Sequence, residues 1–202
     1  MERKQRKRDA RPVVLIACEG TETEPIYFRA IFSELKLLRE RLIFAPHQGP
    51  HPRSVVKAAV QARGILRAAK EWNDQIDHAW AVIDCDEHRQ QSRKRWNDAV
   101  ETARQQNIFL AVSNPSFELW YLLHYQDQSA NLEREEARRL LKKYLPDYDK
   151  PDRLYPTPLK ELTEAAIQRA KVLEDHAREQ ALGEYTNPST GVWKLVLNLR
   201  AL

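Results

Sequence analysis

Between residues 13 and 112, four short apolar runs are separated by stretches of helical period, and this alternation constrains the chain more than any other feature. Val13-Val14-Leu15-Ile16-Ala17-Cys18 is continuous and β-branched, the pattern of a strand buried on both faces. Leu42-Ile43-Phe44-Ala45, Ala79 to Ile83 and Ile108 to Val112 read as three more strands. A helix should begin near Pro25, since proline is tolerated in a first turn, and present Ile26, Tyr27, Ala30, Ile31, Leu35 and Leu38. Residues 53 to 72 predict a second helix with Val55, Val56, Ala59, Val60, Ile65 and Leu66 inward, and 89 to 106 a polar third. Pro115 opens another, through Phe117, Leu119, Trp120, Leu122 and Leu123. Strands that alternate with helices imply an α/β fold with a largely parallel four-stranded sheet, flanked by helices and joined by right-handed crossovers.

After about residue 132 the pattern becomes helical, over 133 to 145, 158 to 182 and 189 to 201. The expected organisation is therefore a basic disordered tail over 1–11, an α/β core over 12–130, and a helical extension over 131–202 packed on that core. The whole fits one domain.

Composition narrows the class further. No apolar run approaches the ~20 residues that cross a bilayer, so no membrane partner is expected. Two cysteines rule out a disulfide scaffold, and the basic N-terminus lacks the apolar core of a secretory signal; the expected location is the cytoplasm. The first eleven residues hold Arg3, Lys4, Arg6, Lys7, Arg8 and Arg11 against Glu2 and Asp9. They carry the whole net charge of +4, leaving the remainder neutral. Such a tail is either a solvated, disordered segment or a loose arm on nucleic-acid phosphates.

Ligands of open α/β sheets sit beyond the carboxyl ends of the strands. Glu19 follows the first predicted strand, Asp84 and Asp86 follow the third, and Glu118 lies in the first turns after the fourth. Glu24 stands five residues beyond Glu19, near a helix start. Each has an ordinary structural explanation: helix-dipole preference for Glu24 and Glu118, turn or capping roles for the aspartates. Glu19, Asp84 and Asp86 together mean more, because converging carboxylates repel and a cation is the natural remedy. All-oxygen ligands suit Mg²⁺ or Mn²⁺ rather than zinc, and the D-x-D spacing lets two carboxylates leave a strand end on one side. Cys18 and Cys85 flank the acids and should pack under helices, because neighbouring strand residues face opposite ways. His47 and His51 stand four apart, but in a loop carrying Gly49 and Pro50 rather than on a helix face, and His88 and His124 do not complete a zinc set with them.

Cys18-Glu19-Gly20 with Thr23-Glu24-Pro25-Ile26-Tyr27-Phe28 resembles the opening motif of the RloB family, which includes the small component of AbiL-type phage abortive-infection systems. Asp84-Cys85-Asp86-Glu87 and Asn114-Pro115-Ser116-Phe117-Glu118-Leu119-Trp120 resemble its second and third motifs. Tyr148-Asp149-Lys150 and Asn187-Pro188-Ser189-Thr190 are similar to weaker signatures near its end. The resemblance implies a Toprim-like core, shared with topoisomerases, primases and OLD-type nucleases. It places a general acid or base on Glu19 and Mg²⁺ binding on Asp84 and Asp86. Glu24 is the nearest match to a further acid of OLD-type nucleases, one residue beyond the expected spacing. Lys150 is a candidate to stabilise charge developing on phosphate.

The expected function is thus a metal-dependent nuclease, acting on DNA or RNA in abortive-infection defence. The resemblance further implies an ATPase partner encoded nearby, and a homodimer would suit an enzyme that cuts two strands. The principal alternative is a catalytically silent nucleic-acid- or partner-binding module on the same scaffold. A receiver-like phosphorylation domain fits poorly, since Glu19-Gly20 stands where such domains carry paired acids.

Overall fold

The computed structural model describes residues 12–85, 92–149 and 158–202. Strands β1 (Val14–Cys18), β2 (Leu42–Phe44), β3 (His78–Asp84), β4 (Phe109–Asn114) and β5 (Ser189–Thr190) form one sheet in the order β2-β1-β3-β4-β5. The first four are mutually parallel, with Cys18 beside Val82 and Asp84 beside Ser113. Helices α1 (Thr23–Glu34), α2 (Pro52–Ala68), α3 (Arg93–Gln105) and α4 (Phe117–Leu122) follow β1, β2, β3 and β4 in turn. α5 (Arg134–Leu141), α6 (Pro158–Glu179) and α7 (Val192–Arg200) complete the described helices. The α/β class and the parallel sheet are as the apolar runs predict.

Side chains alternate across the strands and divide the core into two layers. On one face Val14, Ile16, Cys18, Trp80 and Val82 pack with Tyr27, Phe28, Ile31 and Phe32 of α1, with Phe117, Trp120 and Tyr121 of α4, and with residues of α5 to α7. On the other, Leu15, Ala17, Ala79, Ala81 and Ile83 meet Val55, Val56, Ala59 and Ala62 of α2 and Trp96 and Ala103 of α3. Both cysteines are buried as expected, Cys18 in the first layer and Cys85 in the second.

The structure corrects three expectations. The sequence pattern predicts a helix from Ser189, but Ser189 and Thr190 pair antiparallel with β4, making the sheet five-stranded. The Thr190 hydroxyl lies 2.8 Å from that of Ser113, and the Gly191 N–H donates to the Val112 carbonyl at 2.7 Å. Two polar residues are too few to show a strand period. Ile65, expected inward, is 68% exposed. Arg63 takes the inward place on α2, where its guanidinium donates to the Gln106 carbonyl at 2.5 Å. Leu38 lies beyond the end of α1 and is exposed.

Candidate functional site at the carboxyl end of the sheet

Two of the acids come from strand ends. The Glu19 N–H donates to the Val82 carbonyl, prolonging the β1–β3 ladder by one residue. The Glu19 carboxylate turns back to accept the Asp84 N–H at 3.1 Å, so one acid bridges the two central strands. Asp84 closes β3 on the side of Trp80 and Val82, and is only 7% exposed.

The other two come from helix starts. Glu24, in the first turn of α1, is 5% exposed and accepts the Gly20 N–H at 3.0 Å. Gly20 makes this approach feasible, because a Cβ there would crowd directly against a Glu24 carboxylate oxygen. Glu118, in the first turn of α4, has both oxygens held: the Ser116 hydroxyl donates to one at 2.7 Å and the Tyr148 hydroxyl to the other at 3.1 Å.

Burial raises the Asp84 pKa well above the ordinary carboxylate range, and the charges of Glu19, Glu24 and Glu118 raise it further; Arg134 opposes them. Burial also raises Glu24, with hydrogen bonds opposing and Glu19 and Glu118 adding to the rise. Asp84 and Glu24 thus both feel the charges of Glu19 and Glu118. The field reaches their neighbours: burial first, then Glu24, raises the Cys18 thiol, and burial with Glu118 raises Tyr148. A neutral thiol of this kind is a poor nucleophile.

Other expected site residues fall differently. Asp86, Lys150 and the basic residues Arg3, Lys4, Arg6, Lys7 and Arg8 lie outside the described residues, as does His88. Arg134 joins the site without any sign in the sequence: its guanidinium, at the first residue of α5, contacts the Asp84 carboxylate at 3.1 Å. Glu133-Arg134-Glu135-Glu136 reads in sequence as a solvated helix face, with nothing to mark one member as turned inward. Tyr148 is visible in the sequence only as part of a motif beside Lys150; its hydroxyl holds Glu118.

The donor set is all oxygen and overloaded with negative charge, which fits a hard divalent cation in kind and in charge. Among the described residues, no three His, Cys, Asp or Glu side chains are drawn together closely enough to hold a metal ion by themselves. Asp84 and Glu19, at the ends of the two central strands, are the described residues that would contribute to holding one.

Fold and site together define an α/β protein with a buried acidic cluster at the carboxyl end of a largely parallel sheet. The model of the RloB-like protein family matches residues 14–199, and the chain belongs to that family. Neither the curated proteins nor the solved structures contain a match. No described helix is long and apolar enough to cross a membrane.

Proposed function

We propose that this protein is a metal-dependent, Toprim-like nuclease, hydrolysing phosphodiester bonds of DNA or RNA in abortive-infection defence under the control of an ATPase partner. One observation carries the reading: Asp84, almost fully buried at the end of β3, feels the charges of Glu19, Glu24 and Glu118, with Arg134 set against them. So much negative charge in one place costs stability and is characteristic of sites that work on a charged ligand. Bound Mg²⁺ or Mn²⁺ would supply charge neutralisation at the scissile phosphate. Glu19 is more solvent-accessible than Asp84, and its position at the tip of β1 suits it to move a proton to or from water at the phosphate. Glu24 and Glu118 are held by Gly20, Ser116 and Tyr148, and set the charge of the pocket.

A second reading, a catalytically silent binding module, draws on the position of Arg134, whose guanidinium stands against the acid that would otherwise meet a cation. Asp84→Asn distinguishes the two. It removes one charge at nearly constant volume, so the nuclease reading expects cleavage or phage protection to fall by about two orders of magnitude or more while the variant stays folded. The assay includes the partner ATPase, so that a subunit held inactive is not mistaken for a dead one. A folded Asp84→Asn variant with full protection would overturn the nuclease reading. Anomalous scattering from Mn²⁺-soaked crystals gives a separate check, with density expected at Asp84 and Glu19.

A further inference from the structure

Arg134 is the first of three cations spaced four residues apart along α5. Arg134, Arg138 and Lys142 recur at the interval that places side chains on one helix face, Lys142 standing just past the last helical residue. Each meets an acid. Arg134 holds Asp84 at 3.1 Å, and Arg138 and Lys142 both reach Asp149 at 2.5 Å. Arg138 is kept charged chiefly by Asp149, and it also feels Glu118. The row thus runs from Asp84, a buried acid of the site, outward to Asp149, and all three side chains are between about a third and a half exposed. Arg139, one residue off this face, turns instead to Glu136 and is 62% exposed.

A neutral folded body that places three cations in line beside a cluster of carboxylates has a ready use for them. Anions do not approach an acidic pocket unaided, and a phosphate backbone needs fixed positive charge beside the acids. We infer that Arg134, Arg138 and Lys142 form a rail for nucleic-acid phosphates that leads a strand to the acidic cluster. Arg134 rests on Asp84, and were a divalent cation to take that carboxylate, its guanidinium would be available to phosphate. The rail rests on the nuclease reading for its position, but its phosphate contacts do not require cleavage. It also gives the Arg134–Asp84 contact a role compatible with catalysis, since a guanidinium can hold the buried carboxylate's place and then bind phosphate in a fork geometry.

The test uses the full chain and fluorescein-labelled oligonucleotides, one DNA and one RNA, titrated by anisotropy across a salt series without added metal and again with Mn²⁺. Replacing Arg138 and Lys142 by Gln should weaken binding to the preferred oligonucleotide and reduce the salt slope by roughly 0.7 to 0.9 for each phosphate no longer neutralised. Arg139→Gln should leave the slope unchanged. Arg134→Gln should lower the slope only with Mn²⁺ present, and should tighten Mn²⁺ binding, read by calorimetry, about fivefold by removing the competing cation. Arg134→Lys should keep most of the slope, and melting curves confirm that each variant is folded. A salt slope unchanged in Arg138→Gln/Lys142→Gln overturns the rail, whatever happens to cleavage. Unchanged or weaker Mn²⁺ binding by Arg134→Gln overturns the exchange. If no Mn²⁺ binds the native chain while the rail variants still lose affinity for the oligonucleotide, the nuclease reading fails and the phosphate rail stands.

Discussion

The two faces of the sheet are built from different materials. The face under α2 and α3 is packed mainly with small or aliphatic side chains such as Leu15, Ala17, Ala59, Ala79 and Ala81, with the ring of Trp96 buried among them. The opposite face is aromatic: Tyr27 lies edge-on to Phe28, Phe117, Trp120 and Tyr121, with ring centroids 5.3 to 6.2 Å apart. Three of the four acids belong to the aromatic side, Glu24 and Glu118 through their helices and Asp84 through its place in β3. Small residues suffice where the task is to bring helix close to sheet. Buried carboxylates need more: large rigid rings to hold their helices in place, with hydroxyls at the ring edges to reach the acids. Tyr148 does both, packing edge-on to Tyr121 at 5.5 Å while donating to Glu118.

The contrast can be broken by mutation. Trp120 is fully buried at the centre of the aromatic face, and Trp120→Ala should cost about 3–5 kcal/mol in denaturant unfolding. The site should loosen with it, read as weaker Mn²⁺ binding in whatever fraction stays folded. A loss of under about 1 kcal/mol would mean that the aromatic face is not what fixes these helices.

The aromatic face should also respond to pH, in two opposite senses. His124 sits among Tyr27, Trp120 and Tyr121, and burial pushes its pKa down to about 4. Its folded-state pKa is below the ordinary value of about 6.5, so the unfolded chain binds the proton first and stability is lost as pH falls between those values. The loss should reach about 3 kcal/mol, and His124→Phe should remove it. Asp84 and Glu24 act in the opposite sense. Their raised pKa values make the folded state hold protons longer, so their burial destabilises progressively as pH rises above the ordinary carboxylate range. Glu24→Gln should therefore raise the melting temperature at neutral pH and lose that advantage in acid. A variant less stable than the native chain at both pH values would show that Glu24 is held by more than it is repelled.

Smaller effects sharpen the comparison. Tyr148→Phe removes one hydroxyl from a buried ring and should cost about 1–2 kcal/mol, part of it from leaving Glu118 short of a donor. On the aliphatic side, Ile65→Ser at the exposed surface of α2 should change stability by less than about 0.5 kcal/mol.

Why the strands and acids are legible in the sequence while Arg134 and β5 are not follows from the range of the forces involved. A buried parallel strand must be apolar throughout its own length, so Val13 to Cys18 and Ala79 to Ile83 declare themselves locally. An acid at a strand end is legible for the same reason, since the strand fixes where it stands; the Glu19 carboxylate reaches the Asp84 backbone N–H at 3.1 Å because β1 and β3 are neighbours. Glu24 is harder, and its position depends on a local detail, the missing side chain at Gly20. Arg134 is turned to Asp84 by a contact between distant parts of the chain, and no local pattern records it. β5 is defined by what it pairs with rather than by its own two residues.

Asn187 bears on the order in which the molecule is made. Its side-chain amide clasps Leu132 on both sides, accepting the Leu132 N–H at 3.0 Å and donating to the Leu132 carbonyl at 2.7 Å, two residues before Arg134. Ser189 and Thr190, just beyond, close the open edge of β4. A ribosome extends a chain by about 5–20 residues per second, so Glu19, Glu24, Asp84 and Glu118 emerge several seconds before Asn187. During that interval the acids have been translated, but the clasp on Leu132 and the strand that pairs with β4 have not. The edge of β4 and the approach to α5 can therefore be completed only after residues 187–190 have been made.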